Sequence, residues 1–163
     1  MSIASNAKRR RSRHTSGKTS TVYILDTDAL SMYFTQADCQ LRARVDTTPP
    51  EELGVSIVTV MEILAPAMSM AKKLSGTDRA VFGFDLLLRM VENLRLFQIV
   101  PYEEDARILF LNLPQNIRQH HGNDCRIAST AMARNGTVVT MNTQDYSRID
   151  GCRFENWNAG APL

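Results

Sequence analysis

Along this chain, short apolar runs alternate with stretches whose apolar residues recur at helical spacing. Val22-Tyr23-Ile24-Leu25 is an apolar, β-branched run that stops at Asp26, the pattern of a strand buried on both faces. Residues 28–34 and 38–46 predict two short helices, the second closed by Pro49-Pro50. Val55-Ser56-Ile57-Val58 predicts a second strand, and 59–74 a helix kinked at Pro66. Asp78 stands where it could cap the next helix, whose Val81, Phe84, Leu87, Leu88, Val91 and Leu94 follow the 3.6-residue period. A third strand is predicted over 97–100, stopped by Pro101. An amphipathic helix over 103–117 then carries Ala106, Leu109, Phe110 and Leu113 on one face. A helix opening at Asp124 runs to Arg134 and ends at Asn135-Gly136. A fourth strand follows over 137–140, and 153–157 adds an edge strand. Strands that alternate with helices predict βαβ units, so the fold class is α/β: a central parallel β-sheet flanked by α-helices. Ligands of such sheets sit beyond the carboxyl ends of the strands, so the residues just after each strand are the ones to inspect.

Length and composition narrow this picture. The chain has 163 residues, 44% of them hydrophobic and 22% charged, which fits one packed domain. Its formal net charge of +2 conceals an asymmetry. Residues 1–21 carry Lys8, Arg9, Arg10, Arg11, Arg13 and Lys18 and no acid, which leaves 13 basic against 17 acidic residues in the remainder. The body is therefore mildly acidic and does not offer a basic surface that tracks nucleic acid by charge alone. Residues 1–21 read as a disordered basic extension, with a metal-independent phosphate grip or a misassigned start as the other readings. The domain itself is expected over 22–158, with 159–163 as a tail. Cys39, Cys125 and Cys152 form no C-x-x-C spacing, so reduced thiols in a cytoplasmic protein are expected rather than a disulfide framework or zinc knuckle. No apolar run reaches about 18 residues, and no apolar segment follows the arginine run, so neither a membrane span nor an export signal is expected.

Candidate chemistry lies in four acids. Asp26 directly follows the first strand, and Asp145 follows the fourth after a short loop. Asp124 opens a helix, and Glu62 interrupts the apolar stretch Val58, Val60, Met61, Ile63, Leu64 with no Lys or Arg within a helical turn. Each has a plain structural alternative: a helix cap for Asp26 and Asp124, a turn for Asp145, a solvated helix position for Glu62. Gathered at one sheet edge, they would repel one another, and a divalent cation would reverse that cost. Such an ion would also reconcile an acidic pocket with an anionic substrate.

The residues around these acids carry a resemblance. Tyr23-Ile24-Leu25-Asp26-Thr27-Asp28-Ala29-Leu30-Ser31 resembles the opening motif of PIN-domain ribonucleases. The stretch from Val55 to Leu64, with Glu62, resembles their second motif, and Gly122-Asn123-Asp124-Cys125-Arg126-Ile127-Ala128 the third. Val138-Val139-Thr140-Met141-Asn142-Thr143-Gln144-Asp145-Tyr146 and the segment to Trp157 resemble the fourth motif and the family's C-terminal end. The resemblance covers about 22–158 and is nearest to the VapC-like toxins of toxin–antitoxin pairs. It implies a PIN fold and a Mg²⁺- or Mn²⁺-dependent endoribonuclease that leaves 5′-phosphate and 3′-hydroxyl ends. It implies that Asp26, Glu62 and Asp124 hold a metal directly or through water and that Asp145 completes the site. Thr27, Thr140 and Asn142 occupy positions of supporting groups. A homodimer and a cognate antitoxin that enters the acidic groove are implied as partners. Arg126 and Arg148 are candidates for RNA phosphate contact or for surface ion pairs, and Trp157 reads as a packing anchor.

The chain departs from the pattern in its basic extension, in Pro66-Ala67, in Met141, and in Cys125-Arg126 after the third acid. Three other readings stand beside it. One is a housekeeping PIN nuclease of RNA processing, and another is a PIN-like module that only docks a partner, against which retention of all four acids argues. The third is a haloacid-dehalogenase-type phosphatase with Asp26 as nucleophile and Asp28 as general acid. That class needs a loop lysine, whereas Lys72 and Lys73, the body's only lysines, fall in a predicted helix.

Overall fold

The computed structural model describes residues 23–159. The expectations for the basic extension and for residues 160–163 lie outside them. Five strands, β1 (Tyr23–Leu25), β2 (Leu53–Ser56), β3 (Gln98–Val100), β4 (Thr137–Val139) and β5 (Phe154–Glu155), form one sheet in the order β3-β2-β1-β4-β5. Every pairing is parallel; Ile24 of β1 lies between Gly54 of β2 and Val138 of β4. The helices are α1 (Thr27–Thr35), α2 (Gln40–Thr47), α3 (Ile57–Leu74), α4 (Ala80–Leu94), α5 (Glu104–Asn112), α6 (Gln115–His120), α7 (Gly122–Ala133) and α8 (Thr143–Tyr146).

Alternation along the short strands divides the core into two layers. Leu25, Val55 and Val139 point to one face, where they meet Leu30, Tyr33, Leu41 and Trp157. Ile24, Val100 and Val138 point to the other, where they meet Ile127, Ala128, Ala131 and Tyr146. A parallel sheet buried on both faces needs apolar residues at successive positions, which is why these strands read as continuous runs rather than alternating ones. Among the described residues, no helix is long and apolar enough to cross a membrane.

Several boundaries and caps differ from those the sequence predicts. β2 covers 53–56, not 55–58: the Ser56 hydroxyl accepts from the Thr59 N–H at 3.0 Å and starts α3 at Ile57, overriding the strand preference of Ile57 and Val58. α3 continues through Pro66. Asp78 is not a cap. Arg79 precedes α4 without a side-chain cap, and the turn is held by the Ala80 N–H to the Thr77 carbonyl. The predicted helix over 103–117 is two helices, because Pro114 cannot continue α5 and instead precedes α6. Asp124 lies in the first turn of α7 rather than capping it, since His121 holds the cap position.

The end of α7 follows the expected logic. Asn135 has φ +54, its N–H meets the Met132 carbonyl at 2.9 Å, and the Gly136 N–H meets the Ala131 carbonyl at 2.8 Å. Trp157 is buried as a packing anchor, edge-on to Tyr23 with ring centroids 4.9 Å apart.

The α4 stripe behaves differently from the other amphipathic faces. α4 packs on α3 through small residues, with Gly83 so close to Ala71 that a Cβ at Gly83 would stand 3.0 Å from the Ala71 Cα. Only Gly83 and Leu94 of α4 are buried; Val81, Phe84, Leu88 and Val91 are exposed, Leu88 by 56%.

Candidate metal centre

β1 and β4 are neighbours, yet the chain leaves β1 toward β2 on one side and reaches β4 and β5 on the other. This is where an open α/β sheet forms a crevice at its carboxyl edge. Asp26 lies at the end of β1 and is 4% exposed. It also caps α1, accepting from the Ala29 N–H at 2.8 Å, so the structural alternative for this residue is met alongside its position in the crevice. Burial pushes its pKa up to about 6, against the opposing hydrogen bonds of Thr140 and Ala29, and the charges of Asp28 and Asp124 add to the rise.

Glu62 sits in the second turn of α3 and is partly buried. The side chains that meet it are neutral. Thr27 Oγ1 donates to Oε2, and Asn123 Nδ2 donates to Oε1 at 2.7 Å. Thr27, a candidate supporting residue, thus ties α1 to α3. Asn123 was not singled out as a site residue from sequence. Asp124 follows it in α7, and burial raises its pKa first, then the negative charges of Asp145 and Glu62, while His121 lowers it.

Asp145 is in α8. Asn142 caps that helix and also donates from Nδ2 to Asp145 Oδ2 at 2.5 Å, while Thr140 Oγ1 accepts from the Asn142 N–H at 2.9 Å. Both supporting positions therefore hold the β4–α8 turn that carries Asp145. The two candidate arginines separate. Arg126 donates to Asn123 Oδ1 at 3.3 Å and lies over the Phe110 ring at 4.7 Å, bracing the neighbour of Asp124. Arg148 is closer to the acids, with Nη1 3.9 Å from Asp145 Oδ1.

The tightest grouping of potential metal-binding atoms among the described residues is His121, Asp124 and Asp145, all within 4.8 Å of one another. His121 is the residue that sequence reading missed, because adjacent His120-His121 offered no ligand spacing. Its signal was its place three residues before Asp124, which becomes a contact only because α7 starts there. The donor set of three or four carboxylates with one imidazole and neutral amide and hydroxyl partners fits a divalent cation, since a carboxylate cluster with few cations nearby is costly without one. All three cysteines are free, and burial pushes the Cys125 and Cys152 thiols up to about 11 and about 12, which argues against thiolate chemistry.

No family model matches the chain, and no curated protein matches it significantly. Solved structures do. A chain of FitAB bound to an IR36 DNA fragment is 24% identical with a TM-score of 0.67, the match covering 86% of this chain and 99% of that one. A chain of VapBC2 from Rickettsia felis, bound to a promoter DNA fragment, is 18% identical with a TM-score of 0.63, covering 84% and 99%. A chain of a toxin–antitoxin complex from Klebsiella pneumoniae is 20% identical with a TM-score of 0.59, covering 83% and 97%. Together with the five-stranded parallel sheet, these matches show that this chain has the PIN-like fold of proteins solved in toxin–antitoxin complexes.

Proposed function

We propose that this protein is a divalent-metal-dependent endoribonuclease acting as the toxin of a toxin–antitoxin pair. The observation that carries the reading is that Asp124 lies within electrostatic reach of Asp26, Glu62 and Asp145, which come from other elements of a PIN-like fold, while Asp124 and Asp145 of the four also group with His121. Asp26, Glu62, Asp124 and Asp145 would hold the cation, Mg²⁺ or Mn²⁺. When bound, that ion offsets the carboxylate charge, draws in the RNA phosphate and polarises the reacting water.

The protein's own contribution is positioning. Thr27 and Asn123 fix both oxygens of Glu62, and Thr140 and Asn142 fix the turn of Asp145. Asp26 is anchored by the α1 N-terminus, so its carboxylate is placed before any ion arrives. Arg148 at the rim is suited to a substrate phosphate.

Partner binding is supported by the exposed apolar face of α4, which no other described residue covers. We read the partners as a second copy and a cognate antitoxin. Three free cysteines fit a reduced, cytoplasmic setting.

The test is cleavage of a panel of structured RNAs by the purified protein with Mg²⁺ or Mn²⁺, against the chelator EDTA and against Asp26→Asn. Metal-dependent cuts that fall by about 10²–10³-fold in Asp26→Asn, the scale on which single electrostatic groups act, support the reading. Absence of metal-dependent cleavage across the panel by antitoxin-free protein sinks it. A short reading frame directly upstream, encoding a DNA-binding N-terminus and an amphipathic tail, would favour the toxin over a housekeeping nuclease.

A further inference from the structure

We propose that His121 is itself a ligand of the cation at this centre, and that its imidazole makes the site select a first-row transition ion such as Mn²⁺ over Mg²⁺. The inference rests on the metal-dependent reading above and deepens it. His121 Nδ1 stands 3.6 Å from Asp145 Oδ2 and 3.8 Å from Asp124 Oδ2. Both separations are too long for hydrogen bonds. They are close to the roughly 3–3.5 Å that separates two atoms bound to one ion at about 2.1 Å, so a small inward movement of the three side chains closes a site.

The backbone of His121 is held on both sides. Its N–H donates to the Ile117 carbonyl at 2.9 Å, and its carbonyl accepts from the Cys125 N–H at 2.8 Å. The residue therefore joins α6 to α7 at a fixed point, and Asp124 follows in the first turn of the same helix. Asp145 arrives from α8 with its own brace from Asn142. The imidazole side chain is 18% exposed, so it faces the crevice without being sealed from an entering ion.

Arg148 bears on the same ring. Its Nη1 is 3.5 Å from His121 Nε2 and 3.9 Å from Asp145 Oδ1, so the guanidinium stands beside two of the three donors. Ligation through Nδ1 leaves the ring proton on Nε2, which then no longer accepts from Arg148. That side chain is about half-exposed and free to turn toward an incoming phosphate. Mg²⁺ favours an all-oxygen shell that keeps several waters, whereas imidazole is a better ligand for first-row transition ions. One nitrogen among oxygens thus shifts the preference without excluding Mg²⁺.

Equilibrium binding to the full chain decides this without an activity assay. Free Mn²⁺ is read by electron paramagnetic resonance, with Mg²⁺ as the competitor. We expect Mn²⁺ to be preferred by at least about tenfold in the wild type, and His121→Gln to cut that preference to within about threefold while leaving Mg²⁺ binding little changed. Spin-echo measurement on Mn²⁺ bound to the wild type should show coupling to an imidazole ¹⁴N, a readout that does not depend on how well the variant folds. Mn²⁺ bound without ¹⁴N coupling, and with the same ion ratio in His121→Gln, overturns the role of His121 while the metal centre stands. Failure of both ions to bind the wild type overturns the inference and the metal-dependent reading together.

Discussion

Asp26 is asked to do two things at once, and the two can be separated by substitution. Its carboxylate caps α1, and it is a charge-bearing group that is itself almost fully buried. Asparagine keeps a capping oxygen and removes the charge. With its pKa raised from 3.8 to about 6, Asp26 binds a proton more tightly folded than unfolded. Protonation therefore favours the folded state fully below pH 3.8, and that advantage is lost as pH rises through about 6. In metal-free buffer, Asp26→Asn should exceed the wild type in stability at pH 7 by roughly 2–3 kcal/mol, and the gap should close by pH 4. Urea unfolding at the two pH values measures it; equal gaps would mean that burial is not the source of the shift. Tyr146 gives a second residue-scale expectation. Its hydroxyl is buried with no hydrogen-bond partner among the described residues, and burial followed by the charges of Asp26 and Asp124 pushes its pKa well up. Tyr146→Phe should therefore be neutral or stabilising by up to about 1 kcal/mol, since it removes an unpaired polar atom and keeps the ring. Chemical denaturation with an unchanged m-value checks this.

At the scale of elements, the short polar junctions decide where the acids go. Ser56 ends β2 and caps α3, and its hydroxyl also lies 3.0 Å from Thr59 Oγ1 in a fully buried setting. Starting α3 at Ile57 rather than at Thr59 sets the helical phase that turns Glu62 toward Thr27 and Asn123. Ser56→Ala should cost about 1–2 kcal/mol in stability, because a cap is lost and the buried Thr59 hydroxyl loses one partner. Thermal unfolding gives the stability, and metal affinity should fall with it if the phase of α3 matters to the site. The break between α5 and α6 has the same kind of consequence. Pro114 ends one helix and Arg118 Nε caps the orphan Leu113 carbonyl at 3.0 Å, which lets α6 turn back and deliver His121 to the start of α7.

Across the whole molecule, the charge and the apolar surface are arranged for different partners. The body carries 17 acids against 13 basic residues, and on the proposed reading four of those acids serve one metal centre. Attraction for RNA would then depend on bound cation. α4 presents Val81, Phe84, Leu88 and Val91 to solvent, and Met61 and Met68 of α3 are exposed as well. Leu88→Lys should leave the unfolding midpoint nearly unchanged, within about 0.5 kcal/mol, because the side chain packs on little in a single copy. The same substitution should weaken self-association, read by light scattering at increasing concentration. A large loss of stability at low concentration would instead make Leu88 part of the fold.

Local pattern was enough to find five strands, β2 displaced by two residues, and the parallel α/β architecture, because buried parallel strands must be continuous apolar runs. Which core layer Ile24 or Leu25, Val138 or Val139 serves is set by the folded sheet, since a continuous apolar run does not mark its two faces. The α7 terminus was legible, since Asn135 adopts the left-handed conformation that its residue type tolerates. What local pattern did not contain was contact between distant segments. Periodicity shows that α4 is amphipathic but not that α3 meets it through Ala71 and Gly83 and leaves its large side chains outside. It shows Asp124 at a helix start but not that Asn123 reaches Glu62 61 residues away, or that His121 faces Asp145 across two helices. Those contacts depend on the strand order, which places β4 beside β1 and so brings two ends of the chain to one crevice. Periodicity registers only a residue's own neighbours, whereas a metal centre is defined by the few ångströms between groups that the folded sheet alone brings together.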